Sequence, residues 1–208
     1  EGVSAEKIHF VGNVMIDTLV RLLPEAGLLW PRLSPKLGLK DRQYGLVTLH
    51  RPSNVDDPAT LAEIMSALAE ISHELPIVFP IHPRTRERIA ANNIETGENA
   101  NLQLIDPIGY LDFLCLQERA KLVITDSGGI QEETTYLNIP CLTVRENTER
   151  PVTVSEGTNT LVGTAPEAIV AAARQVLASG GKVGQRPMFW DGRSAQRIVA
   201  ELARQLGC

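Results

Sequence analysis

The sequence predicts an α/β fold, a Rossmann-like doubly wound parallel sheet forming one domain over residues 1–208. Three observations carry this expectation. Short apolar runs of β-like composition alternate with helix-period segments over most of the length. Polar or turn residues follow five of those runs directly. One run, Leu122-Val123-Ile124, leads straight into Thr125-Asp126-Ser127-Gly128-Gly129-Ile130-Gln131-Glu132-Glu133, which reads as strand end, glycine turn and helix start in succession. Alternation at this spacing means βαβ units with helices on both faces and right-handed crossovers.

The elements follow in order. Residues 44–49 (YGLVTL) form an apolar strand that ends at His50. Pro58, behind Asp56 and Asp57, suits a first helical position, and Leu61, Ile64, Met65, Leu68 and Ile71 follow at helical spacing. Residues 76–81 (PIVFPI) are the next strand, ending at His82, and 84–91 read as a helix. A strand at 102–105, a turn at Asp106-Pro107 and a helix over 110–119 come next. Residues 121–125 lead through the glycine turn into a helix to about Leu137. Strands at 141–144 and 160–162 and helices at 165–178 and 195–206 complete the pattern. Residues 33–40 (LSPKLGLK) and 179–187 read as loops. No repeat, low-complexity tract or domain boundary is visible.

Composition narrows the function. With 43% hydrophobic and 22% charged residues, the 208-residue chain has the composition of a domain with a substantial core. A net charge of −5 argues against nucleic acid as the main partner, which calls for a basic face. A small anionic ligand needs only a few local Arg and His residues. The three cysteines, Cys115, Cys141 and Cys208, lack metal or CxxC spacing. Cys115 and Cys141 read as buried thiols, and so sparse a count fits a reducing cytoplasm. No apolar run approaches the ~20 residues of a membrane span, and no signal-peptide pattern is present. The first residue, Glu1, is not methionine, which fits the downstream part of something longer.

In open α/β sheets ligands bind outside the carboxyl ends of the strands, and the unusual residues fall at those ends. His50-Arg51, His82-Pro83-Arg84, Asp106-Pro107-Ile108, Asp126-Ser127-Gly128-Gly129 and residues 145–150 (RENTER) each follow a strand. At a helix N-terminus the outward backbone N–H groups and the helix dipole attract anions. Paired glycines let a phosphate approach closely. Glu132 and Glu133 are expected in the first helical turn, where a carboxylate is favoured and accepts bonds from ligand hydroxyls. Each piece has a plainer alternative. Ser127 suits an ordinary N-cap, His50 and His82 suit strand-end caps, and Arg51, Arg84, Arg145 and Arg150 suit solvated surface charges. Glu149-Arg150 suits a weak surface ion pair, and Phe113 suits the core. Convergence on one rim favours a site. The two rim histidines lack companion carboxylates at ligand spacing, so no metal is expected.

The chain resembles the non-hydrolysing UDP-N-acetylglucosamine 2-epimerases. The matching stretches are Val11-Gly12-Asn13 through Asp17, 48–54 (TLHRPSN), 80–83 (PIHP), 106–113 (DPIGYLDF), 125–133 (TDSGGIQEE), 148–151 (TERP), 157–163 (GTNTLVG) and Trp190-Asp191-Gly192. They cover nearly the whole chain in order. Ser53 departs from the family's HRxEN motif, where Glu is frequent. The resemblance implies a GT-B-type fold of two Rossmann-like halves, of which this chain is the C-terminal, nucleotide-binding one. The carboxylates that handle sugar protons belong to the N-terminal half, so this half is expected to be inactive alone.

The implied activity interconverts UDP-GlcNAc and UDP-ManNAc without a cofactor, by elimination of UDP and its re-addition. Carried over by position, Ser127, Gly128 and Gly129 bind the phosphates, Glu133 the ribose, and Ile108 (through its backbone) and Phe113 the uracil. Arg150 fixes the nucleotide end, and His50 lies against the pyrophosphate and supports C–O cleavage. Arg51 and His82 match positions that bind a second, activating UDP-GlcNAc in some bacterial members. The implied partners are UDP and its sugars, the N-terminal domain and a second copy in a cytoplasmic homodimer. A GT-B glycosyltransferase donor domain, a non-catalytic UDP-sugar sensor and a hydrolysing epimerase stand as alternatives.

Overall fold

The computed structural model describes residues 2–97 and 101–207. Six parallel strands make one sheet in the order β3-β2-β1-β4-β5-β6. They are β1 (Gly45–Thr48), β2 (Ile77–Pro80), β3 (Leu102–Ile105), β4 (Leu122–Thr125), β5 (Cys141–Thr143) and β6 (Asn159–Leu161). The helices are α1 (Val14–Gly27), α2 (Trp30–Leu37), α3 (Pro52–Val55), α4 (Pro58–Ser72), α5 (Pro83–Ala91), α6 (Tyr110–Glu118), α7 (Gly128–Leu137), α8 (Pro151–Ser155), α9 (Pro166–Ser179) and α10 (Ser194–Leu206). Strands buried on both faces read as continuous apolar runs, and Leu122, Val123 and Ile124 of β4 are all fully buried.

Alternate side chains of these strands enter two separate cores. Val47, Ile77, Phe79 and Ile124 pack against α4 and α9, through Leu61, Ile64, Leu68, Ile169 and Ala173. Leu46, Val78 and Val123 face the other way, against Ile16 and Leu19 of α1 and Leu114 and Leu116 of α6. The sheet is therefore doubly wound. From β1 the chain winds one way, to β2 and β3, and from β4 it winds the other, to β5 and β6. The order reverses between β1 and β4, and a crevice opens there at the carboxyl ends.

Local chemistry sets the ends of α4. Asp57 accepts the Thr60 N–H at 2.8 Å and the Thr60 hydroxyl at 2.7 Å, and Pro58 occupies the first turn. The loop expected at 33–40 is corrected: α2 runs through Leu37, and the chain leaves it only at Gly38, whose φ of 63° ends the helix. Pro31 lies in the first turn, where its missing N–H costs nothing. Leu33 buries, and Trp30 stacks on Tyr44 with ring centroids 6.1 Å apart, which holds the helix despite Pro35.

Two stretches from opposite ends of the sequence meet. Gly12 has φ of 104°, and a Cβ there would lie 2.4 Å from the Phe189 carbonyl oxygen, so only glycine fits. The Asp17 carboxylate accepts the N–H groups of Ser194 and Ala195 at 3.0 and 2.7 Å, capping α10. Cys115 and Cys141 are buried free thiols, and burial pushes Cys141 up to about 11. Cys208 lies outside the described residues. No helix among the described residues is long and apolar enough to cross a membrane.

Candidate functional site

The carboxyl ends of β1, β2 and β3 and the start of α7 surround a cavity of about 410 Å³. His50, His82, Ile108, Phe113 and Ser127 line it, with Tyr110 and Ile130. Five residues singled out in the sequence thus share one wall. A larger hollow of about 520 Å³ opens on the other side of the 105–108 loop, bordered by the Arg32–Asp112 ion pair. It holds Ile108 but none of the histidines or the glycine turn.

Ser127 caps α7 by position, in extended backbone, but its hydroxyl makes no capping bond to the helix. Its N–H instead donates to the Thr125 hydroxyl at 3.0 Å. The helix therefore begins with amides that no side chain caps, which leaves them for an anion. Gly128 and Gly129 do not have positive φ. Their value is space. A Cβ on Gly129 would meet nothing nearer than the Ser127 hydroxyl at 3.9 Å. One on Gly128 would sit 3.8 Å from Arg150 Cγ, so the Arg150 side chain lies alongside this turn.

Arg150 is a partner of Glu132, with Nε 2.7 Å from the carboxylate. The plainer alternative of a Glu149–Arg150 ion pair does not hold: Glu149 bonds Arg51 at 2.7 Å and Arg145 at 2.6 Å. Its own backbone N–H and these two guanidiniums hold Glu149 down at about 2. The Arg51 side chain is thereby drawn towards the 145–150 loop, away from the cavity wall. Arg84 likewise pairs with Asp56 at 2.7 Å. His82 is a helix cap, its Nδ1 accepting the Arg84 N–H at 3.2 Å.

The placement of Glu132 and Glu133 in the first turn of α7 is corrected. The helix starts at Gly128, so both fall in its second turn, where they are buried. Glu133 stands behind the cavity wall. It accepts the Tyr110 hydroxyl at 2.9 Å through Oε1, and Oε2 has no hydrogen-bond partner. Burial raises its pKa above the usual glutamate range, the neighbouring Glu132 adds to this, and the Tyr110 and Gln117 side chains oppose it.

Sequence reasoning missed Asp126 and Asn54. Asp126 is 0% exposed and accepts the N–H of His50 at 3.0 Å, the N–H of Arg51 at 2.9 Å and the Asn54 amide at 3.1 Å. Its Oδ1 also lies 3.1 Å from His50 Nδ1. So His50 does have a companion carboxylate, which sequence spacing concealed because the two lie 76 residues apart. Asn54 donates as well to the Val144 carbonyl at 3.0 Å. The available signal was a carboxylate between the strand Leu122–Thr125, apolar except for its last residue, and the Ser-Gly-Gly turn. Among the described residues no group of three or more His, Cys, Asp or Glu side chains clusters as metal ligands would.

A doubly wound sheet with an open glycine turn at its switch point defines an α/β domain of the kind that seats phosphate-bearing ligands at its strand ends. The UDP-N-acetylglucosamine 2-epimerase family model matches residues 1–203, and the chain belongs to that family. It is 41% identical over 207 residues to the UDP-N-acetylglucosamine 2-epimerase of Methanococcus maripaludis, covering 96% of this chain and 55% of that protein. It is 40% identical over 204 residues to the UDP-2,3-diacetamido-2,3-dideoxy-D-glucuronate 2-epimerase of Pseudomonas aeruginosa, covering 96% and 54%. The crystal structure of the Methanocaldococcus jannaschii UDP-GlcNAc 2-epimerase with UDP-GlcNAc and UDP superposes with a TM-score of 0.84 at 37% identity, over 98% of this chain and 56% of that one. The chain thus spans about half the length of the relatives it matches.

Proposed function

We propose that this chain is the C-terminal, UDP-binding half of a cytoplasmic UDP-GlcNAc 2-epimerase, a single Rossmann-like domain that is inactive alone. The observation that carries the reading is the gathering of His50, His82, Ile108, Phe113 and Ser127 around one cavity at the strand ends, with Arg150 beside Gly128. In the elimination, a base of the other half takes the proton from sugar C2. The C–H electron pair becomes the C1=C2 bond of a 2-acetamidoglucal, and the C1–O bond breaks with its pair on the β-phosphate oxygen of UDP. In re-addition the C1=C2 pair takes a proton on the opposite face of C2, and the β-phosphate oxygen of UDP re-forms its bond to C1. This chain must hold UDP still and stabilise its growing charge, which pre-set amides and a cation do well in a dry cleft.

In this reading Ser127, Gly128 and Gly129 take the phosphates, Arg150 secures them, His50 donates to the departing oxygen, Ile108 and Phe113 seat the uracil, and Glu133 takes the ribose. Arg51 and His82 serve a second, activating UDP-GlcNAc at the domain interface. Exposed apolar residues of the N-terminal strap and α10 (Ile8, Phe10, Val199, Leu202 and Leu206) offer a surface for the other half, in an enzyme that works as a homodimer. The Pseudomonas aeruginosa relative supports a second substrate class, a UDP-diacetamido uronate. Calorimetric titration with UDP, then incubation with each sugar nucleotide, tests the reading. UDP binding without turnover is the expected result, and turnover by this chain would overturn the division of labour. Arg150→Ala and Glu133→Ala should each weaken UDP binding by about 1–3 kcal/mol. Unchanged affinity in both would sink the residue assignment.

A further inference from the structure

We infer that Asp126 is a positioning residue for His50: it holds the ring with Nδ1–H turned into the fold and Nε2 turned to the cavity. The inference deepens the reading that His50 faces the departing phosphate, and rests on it only for its consequence. The geometry is independent of any ligand. His50 follows β1 and Asp126 follows β4, the two strands between which the sheet order reverses. Asp126 accepts the His50 backbone N–H at 3.0 Å, and its Oδ1 lies 3.1 Å from the ring Nδ1. An ionised carboxylate can only accept, so it favours the tautomer with the hydrogen on the nitrogen beside it. Which imidazole nitrogen is protonated is set by the bond the other one makes.

Asp126 is itself fixed. Arg51 N–H and the Asn54 amide bind its Oδ2, and Asn54 is anchored in turn to the Val144 carbonyl beyond β5. The exits of β1, β4 and β5 are thereby tied to one buried anion. His50 is half exposed and lines the cavity together with Ser127 and His82. The other charged neighbour, Arg51, is turned to Glu149. With Nδ1 beside the Asp126 carboxylate, Nε2 is the nitrogen left to meet a phosphate oxygen. In the imidazolium form it donates there, while the buried carboxylate stabilises the charged ring.

Long-range proton–nitrogen correlation NMR of the ¹⁵N-labelled chain reads the tautomer directly. In the neutral ring, His50 should be the Nδ1–H form. In Asp126→Asn the acceptor loses its charge and offers an amide that can donate, and at least about half of the His50 population should move to the Nε2–H form. The parent spectrum distinguishes the two tautomers by itself, even if the variant folds poorly. An Nε2–H ring in the parent, or an unchanged tautomer in a folded Asp126→Asn, overturns the inference. Neither outcome involves nucleotide. A parent chain with the Nδ1–H ring that fails to bind UDP would instead count against the proposed function, leaving the positioning role standing.

Discussion

Of the buried carboxylates around the glycine turn, Asp126 and Glu133 are satisfied very differently. Asp126, just before it, accepts two backbone N–H groups and the Asn54 amide and faces the His50 ring. Glu133, in the second turn of α7, accepts one phenol hydroxyl and keeps Oε2 without a partner. Burying an anion is costly unless donors replace water. Asp126 has those donors, supplied by the fold itself, whereas burial raises the Glu133 pKa and the Tyr110 and Gln117 side chains offset it only in part. Spent capacity marks a residue that builds the site, and unspent capacity marks one that waits for something else.

The sharpest way to break this contrast is Asp126→Ala. It strands two backbone donors and the Asn54 amide, at about 1–3 kcal/mol for each unsatisfied group. Partial relaxation reduces the sum, so urea unfolding should show a loss of more than about 3 kcal/mol. A loss under about 1 kcal/mol would mean that Asp126 is not the anchor of the crevice.

Glu133→Gln should have the opposite character. The folded chain binds more protons at Glu133 than the unfolded chain does between the ordinary glutamate value and the raised one. Stability from this group is therefore full below the ordinary value and is lost as pH rises through the raised one. Glutamine keeps an acceptor for Tyr110 and cannot ionise. Relative to the parent, the variant should gain stability as pH rises above the ordinary glutamate value, measured as the difference in urea midpoints. UDP affinity should meanwhile fall about tenfold, or about 1.4 kcal/mol. A variant whose stability tracks the parent at every pH would remove the contrast between the two carboxylates.

Much of this arrangement was legible in the sequence. Five strand ends could be read because each is an apolar run broken by a polar residue, and the parallel sheet carries all of them to one rim. Partnerships were not legible. Asp126 and His50 lie 76 residues apart, and only the pairing of β1 with β4, Thr48 opposite Thr125, brings them together. The helix α2 was hidden by its prolines, because local propensity said loop while burial of Leu33 and stacking of Trp30 said helix. The second-turn position of Glu133 was missed for a smaller reason: with Ser127 as cap, counting begins at Gly128. That shift moves Glu133 from an outward carboxylate to one behind Tyr110.

The glycine turn between the two carboxylates gives the smallest effect on the fold and the cleanest separation of fold from function. Gly129 occupies helix α7 without positive φ, and a methyl there would meet only the Ser127 hydroxyl, at 3.9 Å. Gly129→Ala removes unfolded-state freedom at a helical position, which stabilises by roughly 0.5–1 kcal/mol. The melting temperature should therefore hold or rise slightly. If phosphates rest on this turn, the same methyl stands between them and the backbone amides, and UDP affinity should drop about tenfold. A variant that is more stable and binds less tightly would show that these glycines are kept for the ligand. Unchanged UDP affinity would move the phosphates off the turn, and Glu133's unspent oxygen would then need another explanation.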